Sequence, residues 1–260
     1  MKKTVFNVVT YTVTFLCLQL LCLWGVQALW SWVYPESKGD LSATAMVIAM
    51  ALSSVATLAV FILAHWAMVS PTYLRSRPWA VFFWCVLTSL GALVPSVYLQ
   101  ELMPELPNVA EQTFDMILRD RWGYVAIGLL VPLAEELVFR GAVLRELLQC
   151  CSRHWVAIAL SALIFALVHA NPAQMPHAFL IGLLLGWMYY RTRSILPGVV
   201  YHWVNNSAAY VVYNLYPDPT LTLDDLFGGN ERTVLMAVGF SLLILLPSLY
   251  QLWLRLRPAA

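Results

Sequence analysis

Residues 122–142 read WGYVAIGLLVPLAEELVFRGA. As a helix the stretch rises about 32 Å, enough to cross a hydrocarbon core of about 30 Å. It nevertheless carries Glu135, Glu136 and Arg140 in its second half. On the most lenient insertion scale each such charge costs about 2.5–3.5 kcal/mol, so ionisable groups inside a span need a functional or structural reason.

Outward from this stretch, apolar runs lie at about 6–33, 43–69, 79–99, 155–170, 176–190, 195–216 and 233–254, separated by short charged or Pro/Gly-containing breaks. The pattern predicts an all-α polytopic membrane protein of about eight transmembrane helices, one transmembrane domain over 1–260. Composition agrees: of 260 residues 61% are hydrophobic and 11% charged, which excludes a soluble single domain. Mean hydropathy is +0.72. With 15 Lys+Arg against 14 Asp+Glu the net charge is +1, leaving no basic surplus for nucleic acid. Cys17, Cys22, Cys85, Cys150 and Cys151 form no C-x-x-C pair and read as lipid-facing or core thiols.

Loop charges alternate. Lys2 and Lys3, Arg75 and Arg77, Arg145 and Arg153, Arg191 and Arg193, and Arg255 and Arg257 fall on one side, which the positive-inside rule makes cytoplasmic. Both termini are therefore expected in the cytoplasm, although Lys38, Arg119, Arg121 and Arg232 fall on the other side. Val26-Gln27-Ala28 faintly resembles a signal cleavage site, but the apolar run continues through Tyr34, too long for an ordinary signal peptide. Residues 100–121 form the longest polar insertion, with a short amphipathic helix expected from Val109 to Arg119 at the outer interface.

No Asp falls within the apolar runs, so Glu135 and Glu136 are the intramembrane acids. At about 100° per residue Glu136 and Arg140 share a face, whereas Glu135 points roughly 140° away from Arg140. Glu136 is thus the expected ion-pair partner of Arg140, and Glu135 is left free to act as a general base or acid. Pro132 removes a backbone donor just ahead of the pair and is expected to kink the helix. Phe165 and His169 are four residues apart on one face, as are His202 and Asn206, with Asn205 close by. His65, within the second run, and His154 and His177, at span ends, read as weaker candidates, the last two as interfacial groups. Gly182 and Gly186 have the spacing of a helix-packing pair.

Together Glu135-Glu136-x-x-x-Arg140, Phe165-x-x-x-His169 and His202-x-x-x-Asn206 resemble the three signature motifs of the CPBP family of intramembrane proteases, which includes the type 2 CAAX prenyl endopeptidases and many bacterial Abi proteins. The resemblance covers about residues 120–216. It implies an eight-helix protein that hydrolyses a peptide bond of a membrane-associated protein or peptide. Carried over, Glu135 would activate the water, His169 and Asn206 would position it or stabilise the oxyanion, and His202 would complete the polar cradle. Glu136, Arg140 and Phe165 would support them.

The resemblance favours a glutamate-activated water and no cofactor. A divalent metal such as zinc, if bound, would be held by Glu135, His169 and His202, although no H-E-x-x-H helix is present. Two other readings stand beside it: a carrier with a Glu/His proton relay, against which no inverted repeat is visible, and a non-catalytic immunity or scaffold protein. The expected location is a bacterial inner membrane. Rise per residue raises one conflict. Glu135 and His202 lie about 10–12 Å from the cytoplasmic ends of their spans and His169 about 22 Å from its own, so the helices cannot all stand upright if the three meet.

Overall fold

The computed structural model describes residues 2–37, 40–218 and 221–258; Lys38 lies outside them. Every regular element among the described residues is helical. Nine helices carry the architecture: α1 (Lys2–Val33), α2 (Ala43–Leu63), α3 (Trp79–Glu101), α4 (Glu111–Arg119), α5 (125–150), α6 (His154–Leu167), α7 (Met175–Thr192), α8 (Leu196–Leu215) and α9 (Glu231–Arg255). The amphipathic helix expected over Val109–Arg119 is α4, and the other eight fall on the eight apolar runs.

Four of them, α1, α2, α3 and α9, are long and apolar enough to cross a membrane by themselves. Their outer faces expose bulky apolar side chains such as Trp24, Phe83, Phe240 and Leu243, a surface that lipid covers and water does not tolerate. The chain is an integral membrane protein. The remaining long helices fall short of that criterion because they are shorter or carry the polar side chains of the interior. Residues Leu137–Leu144 of α5 are all buried, packed by Phe15, Phe61, Ile158 and Phe165.

Loop contacts sort into two ends of the bundle. At one end Tyr11 meets Trp66, Arg145 donates to the Trp66 carbonyl, Ser70 to that of Arg193, and Arg191 to those of Trp253 and Leu256. At the other Thr44 donates to Asp120, Asn214 to the Leu118 carbonyl, Asn171 to Asn108, and the Leu223 amide to Glu101. Successive long helices alternate between these ends, and the first and last described residues sit at the same one.

Three boundaries differ from expectation. α2 stops at Leu63, six residues early, in a Schellman cap: His65 at φ +56° takes the left-handed position, its amide bonds the Ile62 carbonyl and that of Trp66 the Phe61 carbonyl. The Phe61 and Trp66 rings, 5.4 Å apart, supply the hydrophobic contact that accompanies such caps. His65 is therefore an exposed turn residue outside the span. α5 runs eight residues past the expected end, to Cys150, and α6 ends at Leu167, which puts His169 in the turn beyond it.

Gly182 and Gly186 pack helices as expected. A Cβ at Gly182 would lie 2.9 Å from Ala162 Cβ, and one at Gly186 2.9 Å from Ile158 Cγ2, so α6 and α7 approach more closely than any larger residue allows. All five cysteines are free, Cys85 buried and Cys17 exposed on the lipid face.

Candidate active site

The interior polar cluster is built on α5. Its winding widens over Val125–Leu130 and again over Leu137–Leu144, with a regular turn, Val131–Glu136, between them. Such widened turns recur at functional sites. Pro132 lies in the first positions of the regular turn, directly after the first widened one. The Val131 amide reaches back to the Ala126 carbonyl, so in the same register the partner of the Ile127 carbonyl would be residue 132, which has no N–H. Asn206 of α8 fills the vacancy, its Nδ2 donating to Ile127 O at 3.1 Å.

One turn on, Glu136 and Arg140 form the anticipated pair, Oε1 to Nη1 2.7 Å, with 0% and 1% of their surfaces exposed. Removing two charges from solvent is costly unless further contacts compensate. Arg140 also donates to the Gly182 carbonyl at 3.4 Å and stacks its guanidinium 4.4 Å above the Phe165 ring, a cation–π contact in a dry setting. Glu136 Oε2 has no hydrogen-bond partner; it faces Gly198, where a Cβ would come within 2.6 Å of it. Only glycine on α8 lets the carboxylate sit there.

His202 joins the two acids. Its Nδ1 lies 3.2 Å from Glu136 Oε1 and its Nε2 3.7 Å from Glu135 Oε2. Glu135, 9% exposed, pairs with no guanidinium. The ion pair expected between Glu136 and Arg140 is present, and His202 lies between the two carboxylates. Phe165 stands edge-on to both imidazoles, 4.9 Å from His169 and 6.0 Å from His202. His169 Nδ1 lies 2.8 Å from the Phe165 carbonyl, which only accepts, so Nδ1 carries the proton and the Nε2 of a neutral ring keeps its lone pair.

The depth conflict resolves in two ways. α5 continues to Cys150, so Glu135 lies about 22 Å from that end, the same as His169 from the start of α6. α8 begins inside the protein: Ser194 and Ile195 are buried, and Ile195 packs on Gly141, which lifts His202 to the level of Glu135.

Sequence reasoning set His177 aside as interfacial, and the structure places it in the cluster. It lies beside Asn205 and within electrostatic reach of both His202 and His169. Asn205 is buried and donates in turn to Asn206 at 3.4 Å. Its fold position hid His177: two residues into α7 by sequence it reads as a helix-end residue, and only the turn that follows α6 brings it beside His169. That turn is anchored by Asn171, fully buried, which donates to Asn108 and accepts from the Val109 amide. Asn206 itself points at the α5 backbone, and Asn205 links it to the neighbourhood of His177.

Both His202 nitrogens face carboxylates, Glu136 is committed to Arg140, and among the described residues no three His, Cys, Asp or Glu side chains gather as a ligand set. The arrangement sets a buried carboxylate beside a buried imidazole, a pair that can exchange protons.

Residues 118–208 match the family model described as Rce1-like: Type II CAAX prenyl endopeptidase Rce1-like. No curated protein and no solved structure matches the chain. The matched segment runs from the end of α4 to the middle of α8 and contains every residue of the cluster. Over that segment, about a third of the chain, the protein is similar to the Rce1-like CAAX protease family, the family that its three motifs resemble.

Proposed function

We propose that this chain is an intramembrane endopeptidase that hydrolyses a peptide bond of a membrane-anchored protein or peptide with a water activated by Glu135. The observation that carries the reading is the split between the two acids: Glu136 is pinned by Arg140 at 2.7 Å, while Glu135 makes no direct ion pair with Arg140 and lies 3.7 Å from the Nε2 of His202. Two carboxylates, one guanidinium and one imidazole balance their charge when the group holds one extra proton.

In the proposed reaction Glu135 takes a proton from water as the hydroxide oxygen adds to the scissile carbonyl. The tetrahedral intermediate collapses with cleavage of the C–N bond, and the proton passes to the leaving amine. The lone pair on His169 Nε2 suits it to hold the second hydrogen of the water. The second Nδ2 hydrogen of Asn206 is the candidate oxyanion donor. His202 keeps the two carboxylates apart and oriented. No metal is required for any of these steps.

The same reading takes all eight long helices as spans, with both termini cytoplasmic by the charge alternation, in a bacterial inner membrane. The family match over residues 118–208, the buried acid pair and the alternation of helix ends support it. The test uses the purified full chain in lipid nanodiscs and an internally quenched, farnesylated peptide ending in a CAAX-type sequence. Glu135→Ala is expected to lower cleavage by about 10²-fold or more, the scale of lost general-base catalysis. Glu136→Ala is expected to act mainly on stability, by about 3–5 kcal/mol, because it strands Arg140 in the interior. Cleavage retained by Glu135→Ala, or lost on chelation and restored by zinc, would overturn the mechanism.

A further inference from the structure

Residues 102–110, between α3 and α4, precede the segment that matches the family model, yet they bond to the turn that joins α6 to α7. That turn, residues 168–174, carries His169 and leads directly into the first turn of α7 with His177, so its shape sets where both imidazoles stand. It does not keep this shape unaided. Ala170, next to His169, sits at φ +49°, the left-handed region in which a Cβ crowds the neighbouring carbonyl.

Contacts from the preceding loop hold the turn. Asn171 is fully buried; its Nδ2 donates to Asn108 Oδ1 at 2.8 Å, and its Oδ1 accepts from the Val109 amide at 3.1 Å. The Ala173 amide donates to the Pro107 carbonyl at 3.3 Å, and Gln100 Nε2 to the Ala173 carbonyl at 3.4 Å. The backbone carbonyl of Asn171 in turn accepts from the Gln174 and Met175 amides, where α7 begins. Asn108 is itself oriented, because its Nδ2 donates to Glu111 at the start of α4, at 3.4 Å, and leaves Oδ1 facing Asn171. Without the Asn108 carboxamide the buried Asn171 Nδ2 loses its acceptor and regains a partner only if the turn moves.

We propose that Asn108, on an exposed loop outside the three motifs, is a positioning residue of the active site: it holds Asn171 and, through the 168–174 turn, keeps His169 and His177 in place around His202. Its effect on cleavage rests on the proteolytic reading, whereas its effect on the two imidazoles does not.

The test takes the full chain in lipid nanodiscs with its histidine rings labelled for NMR and compares wild type, Asn108→Ala and Asn108→Asp, the last of which keeps an acceptor oxygen. The chain has five histidines, so each ring signal is assigned by a single His→Gln substitution. In Asn108→Ala the His169 and His177 signals are expected to shift while those of His154 and of His65, in its exposed turn, stay. On the farnesylated reporter kcat is expected to fall about tenfold with KM within about twofold, and Asn108→Asp to restore both readouts. Unmoved His169 and His177 signals, displacement of all five together, or shifted signals with kcat unchanged overturns the proposal. A wild-type chain that cleaves no reporter refutes the proteolytic reading instead, and the histidine signals still decide whether Asn108 holds the turn.

Discussion

Gly198 shows how one missing methyl group sets the chemistry of a neighbour. Its Cα lies against Glu136 Oε2, and a side chain there would come to 2.6 Å from that oxygen. Gly198→Ala is expected to push the carboxylate off Arg140 and His202, destabilising the protein by about 1–3 kcal/mol as an overpacked core does. Thermal unfolding of the purified variant reads this, and an unchanged midpoint would refute it. At the same scale His177 is expected to matter although none of the three motifs contains it. His177→Gln should lower cleavage of the farnesylated reporter about tenfold, the worth of roughly one well-placed hydrogen bond. His65→Gln, in an exposed turn, should leave cleavage unchanged, and equal rates in the two variants would remove His177 from the site.

α5 is the element on which the site depends, and Pro132 follows directly on the first of its two wide turns. Asn206 compensates for the absent N–H by donating to the Ile127 carbonyl. Asn206→Ala should therefore leave a carbonyl without a partner, at a cost of about 1–3 kcal/mol. In a Pro132→Ala background a backbone N–H becomes available, and the same substitution should cost less. A double-mutant cycle on unfolding free energy checks this, and strict additivity would show that the proline and the asparagine act independently. This structural duty of Asn206 stands beside the oxyanion role proposed for it, and stability and cleavage rate separate the two.

For the whole molecule, the two sets of loop contacts predict which positions share a side of the membrane. In a cysteine-free version of the chain, Arg75→Cys and Glu105→Cys are both exposed and belong to opposite ends. A membrane-impermeant maleimide applied to sealed inverted vesicles should label the cytoplasmic Arg75→Cys and spare Glu105→Cys. Labelling of both from one side would break the eight-span topology. The assembly also explains why four helices suffice to mark the protein as membranous while the others do not stand out. α1, α2, α3 and α9 carry the most strongly apolar lipid-facing surfaces, whereas α5, α7 and α8 hold charges and amides that only the surrounding helices make tolerable.

The apolar runs alone determined the all-helical class and the position of eight helices, because a bilayer leaves no choice but to satisfy backbone polar groups within each segment. Spacing on a single helix likewise determined the Glu136–Arg140 pair, since residues four apart meet whatever surrounds them. Relations between helices were not legible in this way. The level of His169 relative to Glu135 depends on where α5 ends and on α8 starting inside the protein, and neither follows from hydropathy. The place of His177 and Asn205, and the contact of Gly198 with Glu136, depend on how α7 and α8 dock on α5. Tertiary packing decided those, because side chains far apart in sequence acquire partners only when whole helix faces are pressed together.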